Sequence, residues 1–383
     1  MGKTVLILGG GVGGLVTANE LRSKSSKEHR IVLIDREHNF VFSPSLLWLM
    51  TGTRTASKIS KPLARLERKG IERTEGEIES IDPRRREVAV RGETLVGDYI
   101  VIALGADLAP DAVPGLSEAG HNFYSLQGAE SFRNAFEEFS RGTITVLTAA
   151  PAYKCPAAPY EAAMLIEAAC RKRGIRKETA IHLYAAEPGP MGVAGPEVSK
   201  AVRQMVESKG ITYHPEYQIA DVDVSGHLLK FTNGVEAHYD LLAYVPPHRA
   251  PRVLKSAGLI SETGWISVDR HTLETTFPGV YALGDAVSIP LKMGKPLPKA
   301  GVFAHGEASV VARNIAREIT GRGKAGHFDG DGECFIETGD GKAGFGRGNF
   351  YAEPAPQVKI YAPSRHWHAG KVLFEKDWLR RWF

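Results

Sequence analysis

The first 35 residues constrain the fold of this chain more than any other part. An apolar, β-branched run over residues 3–8 is followed at once by a turn with glycines at positions 9, 10, 11, 13 and 14. A helical stretch follows over 15–21, and a second apolar run ends in Asp35. A strand, a glycine-rich turn, a helix, a second strand and a final acid form the pattern of a Rossmann dinucleotide-binding unit.

Each part of this motif has a physical role. Gly9 permits the tight turn, Gly11 lets the backbone approach a pyrophosphate, and Gly14 lets helix and strand pack closely. Gly13 belongs to the same predicted phosphate turn. The helix N-terminus offers free N–H groups and a positive dipole end to the phosphates. Asp35 can accept hydrogen bonds from the ribose hydroxyls, so we expect a dinucleotide here.

Two later segments identify the dinucleotide. Residues 98–105 read DYIVIALG and residues 276–287 read TFPGVYALGDAV, and each predicts a buried strand that ends at a glycine. With the first motif, they resemble the flavoproteins with two dinucleotide-binding domains, although Leu104 stands where that family usually has threonine. The resemblance implies that the first unit binds FAD. The contacts that it implies in these segments are Ala103, Gly105, Gly284 and Asp285.

A second nucleotide-binding unit begins with a strand over 143–148, but its turn has no glycine. Residues 149–161 are AAPAYKCPAAPYE, and a helix is predicted from there to Lys172. Alanine and proline side chains obstruct a pyrophosphate, and each proline removes an N–H donor. We therefore expect that NAD(P)H is not the main electron donor. Cys155 lies beside a lysine and just ahead of a helix, which predicts a thiolate, whereas Cys170 is expected to pack inside the helix.

The resemblance becomes specific in five segments, which together extend over nearly the whole chain. They are SPSLLWLMTG at 43–52, KCPAAPYE at 154–161, LPKAGVFAHGEA at 297–308, ECFIETG at 333–339 and HWHAGKVLFEK at 366–376. They are similar to sulfide:quinone oxidoreductases and to the flavocytochrome c sulfide dehydrogenase flavoprotein. The resemblance implies that Cys155 and Cys334 face each other beside the flavin, form a disulfide or hold bridging sulfur, and that one of them attacks the flavin. Glu161 matches a family acid that shuttles protons, although a carboxylate at a helix start also complements the helix dipole.

The same resemblance supplies the rest of the expected site. It implies further FAD contacts at Ser43, Ile78, Lys299 and Gly301, and a quinone site at Phe335 with Phe374 as a second candidate. No cysteine lies near Ser43, so FAD is expected to be noncovalent. No metal ion is expected. Tyr124, Gly128 and residues 191–193 stand where many family members carry a third cysteine and two histidines, so the substrate could also be a small thiol or persulfide.

The C-terminal residues 370–383, GKVLFEKDWLRRWF, predict an amphipathic helix. Its apolar face would carry Val372, Phe374, Trp378, Leu379, Trp382 and Phe383. Trp and Arg at such a boundary suit a bilayer interface, but a helix docked on its own protein or at a dimer interface would look the same.

Charge supports the membrane alternative. The chain has 48 Lys and Arg against 44 Asp and Glu, a net charge of +4, and residues 347–383 alone hold seven of the former and three of the latter. This excess argues against nucleic acid and for an anionic membrane surface. Because a strand begins at Lys3, no signal peptide is expected, and no apolar run is long enough to span a membrane. The expected location is a peripheral one at the cytoplasmic face.

The predicted fold class is α/β, with two Rossmann-like domains of the disulfide-reductase type and a C-terminal amphipathic segment. The FAD domain would combine 1–110 with 270–330, the second domain would cover 111–269, and 331–383 would carry Cys334 and the tail, with a glycine-rich loop over 339–348. Three functions remain open. The first is an FAD enzyme that moves electrons from sulfide to a membrane quinone. The others are a type II NADH:quinone dehydrogenase and a redox-sensing or partner-binding flavoprotein without turnover; any of them could be a homo-oligomer.

Overall fold

The fold of the chain is taken from a computed structural model, which describes residues 2–383. The strands are β1 (Thr4–Leu8), β2 (Arg30–Asp35), β3 (Asn39–Val41), β4 (Ser60–Pro62), β5 (Glu72–Glu75), β6 (Ile78–Asp82), β7 (Glu87–Val90), β8 (Glu93–Val96), β9 (Tyr99–Ile102), β10 (Asp107–Leu108), β11 (His121–Asn122), β12 (Gly142–Thr148), β13 (Thr179–Ala185), β14 (Thr212–His214), β15 (Ile219–Asp223), β16 (Leu228–Phe231), β17 (Glu236–His238), β18 (Leu241–Val245), β19 (His248–Arg249), β20 (Val280–Ala282), β21 (Asp331–Gly339), β22 (Lys342–Asn349) and β23 (Gln357–Ser364). The α-helices are α1 (Val12–Lys24), α2 (Leu46–Met50), α3 (Ala56–Ile59), α4 (Leu116–Ala119), α5 (Leu126–Glu138), α6 (Ala158–Lys172), α7 (Pro196–Glu207), α8 (Arg252–Ser256), α9 (Gly301–Thr320) and α10 (Arg365–Arg381).

Two parallel sheets form the centre of the molecule. The first has the strand order β20-β9-β1-β2-β5, and the second has the order β11-β18-β12-β13-β14. Residues 5–8 of β1 are at most 1% exposed, because β1 lies between two parallel neighbours and both of its faces are covered. Both predicted Rossmann-like units are therefore present, which confirms the fold class.

The chain order of the first sheet shows how the two halves of the FAD unit meet. β20 comes from a late part of the chain and pairs in parallel with β9, so its carboxyl end lies at the same edge as that of β1. Helix α9 packs against α1 on one face of this sheet. The proposed division of the chain at residues 110, 269 and 330 stays a prediction.

The region after residue 330 differs from its prediction in one respect. The glycine-rich stretch 339–348 is not a loop, because β21 and β22 form an antiparallel hairpin that β23 extends to three strands. This sheet places Cys334 beside α6, and α10 packs against β21, β22 and β23. The C-terminal segment therefore forms one wall of the central cavity.

Candidate active site

The glycine turn between β1 and α1 forms a cradle at the edge of the first sheet. Gly9 has a φ of +103°, and a Cβ on Gly14 would lie 1.8 Å from the Gly9 carbonyl oxygen. A Cβ on Gly11, the N-cap of α1, would meet no protein atom within 4 Å. The space in front of the helix N-terminus is thus open, while the turn behind it is tightly packed, as a bound pyrophosphate requires.

Asp35 ends β2 beside this turn. Its Oδ1 accepts a hydrogen bond from the Glu37 N–H at 2.7 Å, and its Oδ2 accepts one from the Gly10 N–H. The carboxylate lies on the cavity wall next to the phosphate cradle. Its position is the one at which a ribose hydroxyl could donate to it.

The far end of the cradle is built by the segment after β20 and by the start of α9. The buried Asp285 Oδ1 has no hydrogen-bond partner within residues 2–383, although the side chain lines the cavity. A buried acceptor without a donor is costly, so a hydroxyl of a bound cofactor fits here. The Lys299 ammonium donates to the backbone oxygens of Asp285 and Val287 at 2.7 and 2.8 Å, and burial lowers the pKa of Lys299 to about 8.

One cavity of about 2850 Å³ connects these features. Of the predicted cofactor residues, only Gly14 lies away from its wall, because Gly14 serves the packing of α1 on β1. The predicted residues on the wall are Gly9, Gly11, Gly13, Asp35, Ser43, Ile78, Ala103, Gly105, Gly284, Asp285, Lys299 and Gly301. The open cradle, the ribose-side acid and the unpartnered Asp285 oxygen fit FAD, and the cofactor contacts themselves stay a prediction.

Cys155 and Cys334 reach the same cavity from different parts of the fold. Cys155 lies in the turn before α6 with a φ of +52°, and its N–H donates to the Lys299 carbonyl at 2.7 Å. Cys334 projects from β21, and both side chains are free, partly open thiols on the cavity wall. The tertiary structure therefore brings together two cysteines that are 179 residues apart in the sequence.

The expected thiolate at Cys155 is contradicted by the surroundings of the sulfur. Burial raises the pKa of Cys155 to about 12, and the nearby Glu161 carboxylate raises it further. Burial also raises the pKa of Cys334, with contributions from Glu161 and Cys155. A sequence shows the helix and the lysine beside a cysteine, but it does not show how deeply the sulfur is buried.

Glu161 is buried, and its Oε1 has two hydrogen-bond donors. One of its oxygens accepts from the Glu337 N–H and from the Lys371 ammonium, both at 2.8 Å. Burial works against the charged form of Lys371, but the carboxylates of Glu161 and Glu337 raise its pKa above the ordinary value. Sequence reasoning missed Lys371 because it treated the C-terminal helix as a surface anchor.

The glycine-free turn of the second unit is filled from within the protein. Glu187 follows β13, at the place that corresponds to Asp35 after β2. Its buried carboxylate accepts hydrogen bonds from Thr148 Oγ1 at 2.7 Å, from Tyr160 Oη at 2.6 Å and from the Tyr153 hydroxyl. Hydroxyl groups of the protein thus donate the hydrogen bonds to Glu187 that the hydroxyls of a ribose would otherwise donate. The buried Cys170 packs inside α6, as expected.

An aromatic cluster closes the other side of the cavity. Phe335 and Phe374 both line it, with their ring centroids 6.3 Å apart, and Phe42 lies 5.8 Å from Phe374. These flat apolar side chains stand beside Cys334, so the wall suits a planar apolar ligand.

The apolar face of α10 that was expected to contact a membrane is largely buried in the structure. Trp378, Leu379 and Trp382 are only 4–7% exposed, because they pack on the protein itself. The exposed apolar side chains are instead Leu373, at 66%, and Phe374, at 46%. The amphipathic pattern alone could not distinguish a helix bound to a membrane from one docked on its own protein. The structure shows that most of the apolar face is docked on the protein.

Among residues 2–383, the helices include none with the length and apolarity needed to cross a bilayer. The same part of the chain has no group of three or more His, Cys, Asp or Glu side chains that could hold a metal ion.

Comparisons with known proteins agree with this geometry. The family described as pyridine nucleotide-disulphide oxidoreductase matches residues 3–308. The chain is 29% identical to a sulfide-quinone reductase of Aquifex aeolicus, over 99% of this chain and 91% of the relative. It is 23% identical to a mitochondrial sulfide:quinone oxidoreductase of Mus musculus, over 91% and 79%. The crystal structure of the sulfide:quinone oxidoreductase from Aquifex aeolicus superimposes with a TM-score of 0.89 at 26% identity, over 99% of this chain and 91% of that one.

Proposed function

Because the chain belongs to the pyridine nucleotide-disulphide oxidoreductase family, we propose that it is an FAD-dependent sulfide:quinone oxidoreductase. The observation that carries this proposal is the single cavity that holds the glycine cradle, Cys155 and Cys334 together. Two thiols on the wall of the cavity that holds the glycine cradle can exchange sulfur and electrons with a bound flavin. The relatives named above support sulfide as the substrate and a quinone as the acceptor.

The proposed reaction starts from an oxidised Cys155–Cys334 pair. Hydrosulfide attacks one sulfur, the bond between the cysteines breaks, a persulfide forms on one cysteine, and the other cysteine leaves as a thiolate. The persulfide then loses its proton. When the cysteine bond forms again, the added atom leaves as zero-valent sulfur and two electrons are released. Bound FAD supplies the chemistry that accepts these two electrons and passes them to a quinone.

The protein's own residues prepare each part of this reaction. Burial makes isolated thiolates at Cys155 and Cys334 unfavourable, which favours the oxidised pair between turnovers. The Lys371 ammonium, buried beside Glu161, can stabilise the thiolate that leaves, since its charge opposes the increase in pKa that burial causes at both thiols. Glu161 lines the same cavity, its charge influences both thiols, and we assign it the role of accepting the persulfide proton.

The second candidate, a type II NADH:quinone dehydrogenase, fits less well. In the second unit the acid that would bind a ribose, Glu187, is saturated by Thr148, Tyr153 and Tyr160. Releasing it would leave a buried carboxylate without partners, at a cost of about 1–3 kcal/mol for each broken hydrogen bond.

Anaerobic mixing of the flavin-loaded protein with each donor tests the proposal. Sulfide is expected to bleach the oxidised flavin absorbance within the turnover time, and NADH at the same concentration is expected to leave it unchanged. Bleaching by NADH but not by sulfide would instead support the dehydrogenase. If neither donor bleaches the flavin, the protein is the sensor or binding flavoprotein without turnover.

We place the quinone against Phe335 and Phe374. These rings line the cavity on the side of Cys334 and next to the exposed part of α10. A quinone headgroup can stack on them, while its apolar tail points toward the surface around Leu373.

We also propose that this surface binds a membrane peripherally. Leu373 and Phe374 project from α10 beside the charged, exposed Lys376 and Arg380, a combination that suits the interface of an anionic bilayer. We place this surface at the cytoplasmic face, because the cytoplasmic leaflet is the anionic one.

Replacing Leu373 by aspartate tests the membrane surface. A leucine buried in the interface contributes about 1.5–3 kcal/mol, so binding to liposomes that contain anionic lipid is expected to weaken about tenfold or more in a sedimentation assay. The matched control is V224D, since Val224 is also an exposed apolar residue, at 41%, in the turn between β15 and β16. Equal binding by both variants and the wild type would contradict the proposed surface.

A further inference from the structure

The inward face of α10 carries polar groups that membrane binding does not explain, and the sulfur chemistry proposed above uses Lys371 alone among them. His368 and Lys371 lie one turn apart, and each pairs with a buried carboxylate. The His368 Nδ1 lies 3.0 Å from a Glu337 oxygen, and the Lys371 Nζ lies 2.8 Å from a Glu161 oxygen. Both carboxylates are at most 3% exposed, so the helix brings an imidazole and an ammonium group against two buried acids.

We propose that His368, Glu337 and Lys371 form a path that carries protons from solvent to the quinone side of the cavity. The proposal rests on the function proposed above. It adds residues that take part in the acceptor half of the reaction, whereas the cysteines and Glu161 serve the sulfide half.

The stoichiometry of the reaction requires such a path. Two-electron reduction of a quinone to the quinol takes up two protons, and oxidation of hydrosulfide to zero-valent sulfur releases one. The balanced reaction is HS⁻ + quinone + H⁺ → S⁰ + quinol, so each turnover takes one proton from solvent. A cavity wall built of Phe335 and Phe374 cannot supply that proton.

The outer end of the path is His368. Its side chain is 31% exposed, and its ring contacts the Glu337 carboxylate, which is 1% exposed. Imidazole exchanges protons readily near neutral pH. His368 can therefore take a proton from water on one side and donate it to the Glu337 carboxylate on the other.

The inner end is Lys371, which lines the cavity together with Cys334, Phe335 and Phe374. Its ammonium is held by Glu161 and influenced by the charge of Glu337. Burial raises the pKa of Glu337, and the charges of Lys371 and His368 oppose that increase. The Glu337 carboxylate contacts His368 directly, and Glu161 accepts hydrogen bonds from both the Glu337 N–H and the Lys371 ammonium, so these groups form one contiguous cluster from the surface to the cavity. A backbone hydrogen bond from the Glu337 N–H to Glu161 fixes the two carboxylates relative to each other.

The groups packed around this path come from four elements. They are Glu161 on α6, Cys334 and Glu337 on β21, His368, Lys371 and Glu375 on α10, and Arg54, which pairs with Glu375 from the segment after α2. The Ser45 hydroxyl also donates a hydrogen bond to Glu375, at 2.6 Å. The Arg54–Glu375 pair therefore anchors α10 and has no hydrogen bond to His368, Glu337 or Lys371.

The first test separates the two half-reactions in H368Q. Glutamine keeps a hydrogen-bond donor for Glu337 but cannot carry a proton. Flavin reduction by sulfide is expected to keep its wild-type rate. Reoxidation of the reduced flavin by a soluble short-chain quinone is expected to slow about 10²-fold, with an increased solvent deuterium isotope effect. The control is H366Q, since His366 is exposed on the same helix and has no ion-pair partner in the described part of the chain.

Chemical rescue and infrared spectroscopy distinguish proton transfer from a structural role. Free imidazole is expected to restore quinone reduction in H368A but not in the wild type. In the protein without flavin, H368A is expected to raise the pKa of Glu337, so the protonated carboxyl band that E337Q removes should appear at a higher pH than in the wild type. A variant that slows both half-reactions equally and is not rescued, or one that slows neither, would overturn the path.

Failure of the path and failure of the proposed function remain distinguishable. If sulfide does not reduce the wild-type flavin, the function is wrong, but dithionite-reduced enzyme can still be mixed with the quinone. An effect of H368Q on that step, with none of H366Q, would then still support the path.

Discussion

Replacing Cys155 by serine is expected to abolish reduction of the flavin by sulfide. Serine cannot form a disulfide with Cys334 or hold a persulfide, so the sulfur transfer loses its covalent route. Removing a nucleophile in this way is expected to lower the rate by at least about 10³-fold. Anaerobic stopped-flow mixing with sulfide measures the rate directly, and flavin content and thermal unfolding are expected to stay close to the wild-type values.

The third cysteine supplies the matched control. Cys170 is buried inside α6 and does not line the cavity, so C170A is expected to reduce its flavin at the wild-type rate. Sulfide-driven reduction at the normal rate in C155S would remove the cysteine pair from the mechanism. It would leave the FAD cradle and the membership of the family untouched, because these rest on other observations.

Replacing Gly11 by alanine is expected to prevent FAD binding without harming the apoprotein. The new Cβ would meet no protein atom within 4 Å, but it would project into the space where the pyrophosphate approaches the α1 N-terminus. Loss of two charge-assisted hydrogen bonds costs about 3 kcal/mol or more, which is about a 100-fold weaker affinity. Flavin fluorescence titration of the apoprotein measures the affinity, and calorimetry measures its stability.

Gly14 gives the contrasting result. An alanine there would place its Cβ 1.8 Å from the Gly9 carbonyl oxygen, so helix and strand must separate. G14A is expected to lower the thermal stability of the apoprotein itself, since overpacking of this kind costs about 1–3 kcal/mol. If G11A binds FAD like the wild type, the cradle is not the phosphate site.

The sequence predicted the cofactor side of the cavity well because that side is built from local patterns. A run of apolar residues, a glycine turn and a terminal acid are contiguous, so the strand, the turn and Asp35 follow from the order of residues alone. The absence of glycine after β12 likewise predicted that the second unit lacks a phosphate turn. The sequence did not reveal that Glu187 accepts hydrogen bonds from three hydroxyls of the protein in place of those of a ribose, since these hydroxyls come from separate elements.

The C-terminal helix shows where a pattern was insufficient. Its aromatic residues and charges are compatible with a membrane surface, and the same pattern fits a helix docked on its own core. The structure buries Trp378, Leu379 and Trp382 and leaves Leu373 and Phe374 exposed. Because Lys371 and Glu375 look like surface charges in the sequence, their burial against Glu161 and Arg54 had no local signal.

The sequence by itself determined the two Rossmann-like units and the FAD-type glycine turn of the first. The functional pairing of Cys155 and Cys334, which the family resemblance implies, stays a prediction. The tertiary structure alone decided which groups surround those sulfurs. The pKa of a thiol and the partner of a buried carboxylate depend on burial and on charges brought from distant parts of the chain. For that reason the thiolate expected at Cys155 is contradicted, and the burial of Lys371 follows only from the packing of α10 on β21 and its ion pair with Glu161.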